Sequence, residues 1–193
     1  MINIGFFIDN KNLSSSNNCI ENKSHLFTNG ANQQIYFVYK TLCKLENLEC
    51  FIFTTDNQDN INILIDLPVL YINKHYNILK KIDVIISHNQ IVEKNDVDFF
   101  KSLNIKLVHY NCGNLYYAFQ EDIIGDIHNY IKDFQYNKLL DQYWVIPNYS
   151  KDIDFYKCLT GYNKPVYTAP YVWDSTIVDL FKKPEEIKYE SKK

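Results

Sequence analysis

The chain has 193 residues, the size of one ordinary domain, and its 46% of hydrophobic residues are enough to bury a core without metals or disulfides. Twenty basic residues against 23 acidic ones leave a net charge of −3, spread along the chain, so no basic field is present to attract nucleic acid or acidic lipid. The longest apolar runs, such as 63–72, contain polar residues and fall short of the roughly 20 needed to cross a bilayer, which excludes a membrane-spanning helix.

Residues 2–8 read as a buried strand, with no cationic lead-in and no small-residue cleavage site, so a cytoplasmic protein is expected. The segment 11–23, rich in Asn and Ser and without periodicity, predicts a long mobile loop. An amphipathic helix is predicted over 32–46, with Ile35, Val38, Leu42 and Leu45 on one face. Strands follow at 48–54, 67–72 and 82–86, then a helix capped by Asn95 with Val97, Phe100 and Leu103 facing inward. After a strand at 106–109, a long helical stripe is predicted over 115–134, interrupted by Gly125. A strand at 143–146 precedes a helix with Ser150 as its cap and Gly161 and Pro165 as its stop, and a last strand covers 166–173. Asp174 caps a final helix ending before Pro184, and the charged residues 182–193 form a tail or the start of an interdomain linker. Strand and helix alternate as in βαβ units, which predicts a doubly wound, three-layer α/β domain over 1–181 with a mostly parallel sheet.

Five cysteines without a C-x-x-C pair fit reduced thiols rather than a disulfide frame or a zinc site. All basic residues are Lys, so any phosphate or carboxylate must be held by Lys, backbone N–H groups or helix N-termini. The five glycines are too widely spaced for a dinucleotide fingerprint or a P-loop.

In open α/β sheets ligands bind outside the carboxyl ends of the strands. The residues just past each predicted strand are polar: Asp9 and Asn10, Thr55 and Asp56, His88 and Asn89, Asn111 to Asn114 around Gly113, Asn148, and Trp173 with Asp174. Amides beside aromatic rings suit sugars, whose hydroxyls need donors and acceptors while their C–H faces stack on aromatic planes. The alternative is that Asn, Asp and Gly crowd any turn for backbone reasons. Asn29, Gly30, Asn32 and Gln33 open the first helix, where unpaired N–H groups and the dipole favour an anion or a polar ligand, or simply form a cap and turn. His88 and Asp9 rank first as proton acceptors. Cys112 has no basic sequence neighbour to lower its pKa, and the histidines share no metal-ligand spacing.

Taken together, 26–33 (Leu-Phe-Thr-Asn-Gly-Ala-Asn-Gln), 81–86, 109–116 (His-Tyr-Asn-Cys-Gly-Asn-Leu-Tyr), 141–147 and 170–174 (Pro-Tyr-Val-Trp-Asp) resemble a glycosyltransferase-like family of unknown function found in bacteria and large DNA viruses. That family resembles GT-B glycosyltransferases, in which two Rossmann-like domains face each other across a cleft. The resemblance implies that residues 1–181 are the N-terminal, acceptor-side Rossmann-like half, and that 170–174 lead toward a second domain holding the donor. It also implies a nucleotide-sugar donor, a sugar or glycan acceptor and no bound metal or other cofactor. Ala31, Gln34 and His88-Asn89 depart from the family pattern. The leading expectation is sugar transfer; the alternative is a noncatalytic carbohydrate- or partner-binding module.

Overall fold

The computed structural model describes residues 1–8, 30–55, 63–64, 67–88, 94–112 and 135–172. The loop expected over 11–23, the helix over 115–134, the final helix after Asp174 and the tail lie outside the described residues. In chain order the described elements are β1 (Ile2–Phe7), α1 (Gly30–Leu42), β2 (Leu48–Thr54), β3 (Ile63–Leu64), β4 (Leu67–Pro68), β5 (Leu70–Tyr71), α2 (Tyr76–Leu79), β6 (Val84–His88), α3 (Lys94–Ser102), β7 (Lys106–Asn111), a 3-10 turn (Gln135–Leu139), β8 (Gln142–Val145), a second 3-10 turn (Pro147–Asp152), α4 (Ile153–Thr160) and β9 (Val166–Thr168).

Seven of these strands form one sheet in the order β5-β2-β1-β6-β7-β8-β9. Every pairing in it is parallel. The chain is therefore an α/β domain of the Rossmann-like kind, as the alternation of elements predicts. From β1 the chain builds outward through β2 to β5, then returns to the other side of β1 with β6 and builds outward again to β9. The order reverses between β1 and β6, where Phe7 lies opposite Ser87.

The strands are near-continuous apolar runs because both faces are covered, as a parallel sheet requires. On one face Phe6, Ile8, Ile52, Ile86, Val108 and Tyr110 pack against Ile35, Tyr36, Phe37 and Val38 of α1. On the other, Phe7, Phe53, Ile85, Leu107, Tyr143 and Val145 pack against Leu79 of α2, Val97 and Phe100 of α3 and Tyr156 of α4. Gly5 lies on that second face: a Cβ there would meet Ile85 Cδ1 at 2.5 Å and Phe53 ring atoms at 3.1 Å.

Several boundaries differ from expectation for local reasons. α1 begins two residues early and ends at Leu42, so Leu45 is half-exposed rather than on the core stripe. The strand expected over 67–72 divides at Pro68, which has no N–H to continue a ladder: β4 pairs antiparallel with β3, and β5 joins β2. Ser150 does not cap a helix. Its hydroxyl donates to the Pro147 carbonyl at 2.9 Å inside the second 3-10 turn, and α4 begins at Ile153. Gly161 does end α4, in the left-handed conformation (φ 69°) with its N–H donating to Lys157 O. The last strand stops at Thr168, because Ala169 and Pro170 turn the chain out of the sheet.

Candidate functional site

The crevice of a doubly wound sheet opens at the carboxyl ends of the strands flanking the reversal, here β1 and β6. β6 ends in His88, whose backbone is in register with Tyr110 of β7. Ile8 closes β1 with an N–H bond to Phe53 O at 2.9 Å, and Asp9 follows it in the chain. The side chains of His88, Asn32, Asp9, Asn10, Asn29, Asn114, Trp173 and Asp174, and the backbone of Gly113, lie outside what the structure describes.

One feature of the carboxyl edge was not expected from the pattern of residues: a strap. Past β9, Ala169 N–H donates to Val145 O at 2.9 Å, so the chain leaves the sheet over the end of β8. The Tyr110 hydroxyl, at the end of β7, donates to Pro170 O at 2.8 Å. Tyr171 then donates its hydroxyl to Gln33 Oε1 at 3.0 Å. Gln34 closes the arrangement as a two-way clamp, its Nε2 donating to Val172 O at 3.1 Å and its Oε1 accepting from Val172 N–H at 3.2 Å. Ala169, Tyr171 and Val172 also pack on the apolar cluster beneath α1. The strap thus runs from the β9 edge to the first turn of α1, held by polar bonds to side chains that are themselves buried. Gln34 is fully buried and Gln33 is 7% exposed.

Gln34 stands four residues before Val38 and Gln33 four before Phe37, so both amides occupy core-facing positions of a helical stripe. A buried carboxamide needs partners, and an amide at such a position is the signal by which the strap's anchor could have been found. Of the expected site residues, Gln33 is brought against the strap, and Gly30 begins the same helix. Asn111 belongs to the opposite face of the sheet: it is buried, in register with Val145, and beside the Tyr143 hydroxyl. Asn148 is exposed in the second 3-10 turn. Gln33, Asn111 and Asn148 therefore do not line one surface.

That opposite face holds a polar group within its core. Ser87 Oγ and His109 Nδ1 are hydrogen-bonded at 3.1 Å between adjacent strands in register. The His109 ring stacks on Tyr143 at 5.5 Å, and Tyr143 stacks on Tyr156 at 3.9 Å. The Tyr156 hydroxyl donates to Asn137 Oδ1 at 3.3 Å. A Ser–His pair has the composition of a nucleophile and its base, but Ser87 and His109 are 2% and 6% exposed and a substrate cannot reach them. Burial lowers the His109 pKa to about 4, so the ring is neutral at pH 7. Burial likewise pushes the Cys112 thiol up to about 12, which removes it as a nucleophile.

No group of His, Cys, Asp and Glu among the described residues has the geometry of a metal site. No helix among them is long and apolar enough to cross a membrane.

A family model described as a protein of unknown function, DUF2827, matches residues 17–190. The chain belongs to that family. No curated protein and no solved structure matches it. The DUF2827 match spans α1, the strap and every strand from β2 to β9, so the Gln33–Gln34 anchor falls inside the family's extent, whereas β1 with Asp9 and Asn10 precedes it.

Proposed function

We propose that this chain is the acceptor-side half of a GT-B glycosyltransferase, moving a sugar from a nucleotide-sugar donor, held across a cleft by a second domain, onto an acceptor hydroxyl. The observation that carries the reading is the strap. It crosses the carboxyl ends of β8 and β7 and is fixed to the first turn of α1, which gathers the rings of Tyr110 and Tyr171 and the amides of Gln33 and Gln34 at one place on the carboxyl edge. Sugars are bound by such surfaces through hydroxyl hydrogen bonds and ring stacking.

In this reading Asp9 or His88 accepts the proton of the acceptor hydroxyl, whose oxygen attacks the anomeric carbon as the nucleoside diphosphate departs. With no Arg in this chain, whatever charge this half meets is met by Lys, backbone N–H groups and helix N-termini. Asn29, Gly30, Asn32, Trp173 and Asp174 contact the acceptor, no metal is required, and the compartment is the cytoplasm. Gln33 and Gln34 act through the strap by positioning it.

Ligand-observed NMR on the purified chain tests this. Saturation transfer is expected to the protons of at least one free sugar or nucleotide sugar in a broad panel, and it weakens in Asn29→Ala while the melting temperature is unchanged. Transfer to no member of the panel, or equal transfer in the variant, would remove the acceptor site from the first turn of α1.

A further inference from the structure

Three aromatic side chains form one row on the α1 side of the sheet. Tyr110 of β7 is in register with Trp144 of β8, and Trp144 with Tyr167 of β9. Partners in register on parallel strands project to the same face, and Tyr110 and Trp144 both pack in the cluster beneath α1. The row emerges toward the edge of the sheet: Tyr110 is 2% exposed, Trp144 is partly buried and Tyr167 is 47% exposed. Tyr110 meets Trp144 edge-on, with ring centroids 6.2 Å apart at 67°, and its hydroxyl is tied to Pro170 O. Gln142, two residues before Trp144 and on the same face of β8, accepts from the indole Nε1–H through Oε1 at 2.9 Å. The indole is thus fixed from two directions. Among the described residues nothing bonds to Gln142 Nε2, and the Tyr167 ring has neither a hydrogen bond nor a ring contact.

We propose that Gln142, Trp144 and Tyr167 form a binding platform for a neutral carbohydrate, a pyranose ring laying its C–H face on the indole and phenol rings while the Gln142 amide donates to one of its hydroxyls. The chemistry of the row selects this ligand. Aromatic surface already fixed in place takes up a flat C–H face without the cost of ordering a side chain. The free Gln142 amide N–H and the Tyr167 hydroxyl beside it suit sugar hydroxyls, which both donate and accept. Neither β8 nor β9 carries a charged residue, so the surface is matched to an uncharged ligand. Two rings and one amide correspond to one or two sugar units, far less than the roughly 800 Å² that a stable protein interface takes from each partner. The inference rests on sugar binding by this chain, as proposed for the first turn of α1, and adds a second contact toward the β9 edge. It is noncovalent and requires no donor and no second domain.

The chain has two tryptophans, Trp144 and Trp173, so its isotope-labelled form gives two indole N–H resonances, and Trp144→Phe identifies the one that reports on the platform. The full chain is titrated with cellobiose, maltose and diacetylchitobiose, and separately with adenosine and uridine, each to about 20 mM, which populates a site of millimolar Kd. The expected result is a saturable shift of the Trp144 resonance with at least one disaccharide. In Tyr167→Ala that binding is about tenfold weaker with the melting temperature unchanged, and in Tyr167→Phe, which keeps the ring, it returns. No shift with any disaccharide, an equal affinity in Tyr167→Ala, or a shift with the nucleosides alone would overturn the proposal. A Trp144 shift that survives in Asn29→Ala supports the platform whatever becomes of the site at α1. Sugar binding that depends on Asn29 and leaves the Trp144 resonance unmoved would overturn the platform and keep that site.

Discussion

His109 shows how a single side chain can set the response of the fold to acid. It is enclosed by Ser87, Tyr143 and the strands beside it, and burial lowers its pKa from 6.5 to about 4. Between those values the unfolded chain binds a proton that the folded one does not, so stability falls as the pH drops from about 6.5 toward 4. The expected loss between pH 7 and pH 5 is about 2 kcal/mol by linkage, read as a shift of the urea midpoint. His109→Gln, which keeps a polar group facing Ser87, flattens that dependence; an unchanged slope would show that His109 titrates normally. Gly5 is the second residue set by its surroundings, since a Cβ would press on the tip of Ile85 and the ring of Phe53, which would have to shift. Gly5→Ala is expected to cost about 1–3 kcal/mol through overpacking in the middle of β1. Neither effect is legible in the sequence. His109 reads there as one of five histidines without a shared spacing, and Gly5 as a glycine in a strand, because what distinguishes them is the neighbouring strand in register.

At the scale of elements, the strap and its anchor form one unit. Gln34 satisfies both main-chain groups of Val172 from a fully buried position, and Tyr110 and Gln33 take up Pro170 O and the Tyr171 hydroxyl. Gln34→Ala removes two of these bonds and leaves Val172 polar groups to be resolvated beside the α1 cluster. The expected cost is about 1–3 kcal/mol, together with faster amide exchange at Val172 and not at β6. Equal exchange at Val172 in both proteins would mean that packing alone holds the strap. Asp141 ties elements together in the same way on the other face. Its carboxylate accepts from Lys101 of α3 at 2.5 Å and from the Leu107 N–H of β7 at 2.7 Å. Although burial alone would raise its pKa, these bonds and the charges of Lys101 and Lys164 hold it below the ordinary carboxylate range. A depressed carboxylate contributes stability above its unfolded pKa and loses it as the pH falls through the folded value, so Asp141→Asn is expected to lower stability at pH 7 and much less at pH 2. Here the sequence is partly informative. The helical stripe of α1 places Gln34 in line with Val38, but which segment the amide meets, 138 residues away, is decided by the fold.

At the scale of the whole molecule, a parallel sheet with helices on both faces is protected most at its centre. β1 and β6 have strands on either side and helices above and below, whereas β9 is an edge strand whose Tyr167 and Thr168 are exposed. Hydrogen exchange is expected to be slowest in β1, β6 and β7 and markedly faster in β9. Protection of β9 equal to that of β6 would require another element to cover that edge. The same topology gives the candidate site its place, since ligands of doubly wound sheets bind where the strand order reverses, here between β1 and β6.

Strand and helix identities were determined locally: apolar β-branched runs, amphipathic spacing over α1 and α3, and Gly161 as a helix stop each carry their signal within a few residues. Absent Arg, spaced glycines and a modest charge likewise belong to the sequence alone. The tertiary structure decided the strand order, the separation of Asn111 from Gln33 onto opposite faces and the strap across the carboxyl edge. These depend on register and on crossovers between segments far apart in the chain, and side-chain periodicity, which reports a residue's own face and not its neighbour, contains no information about them.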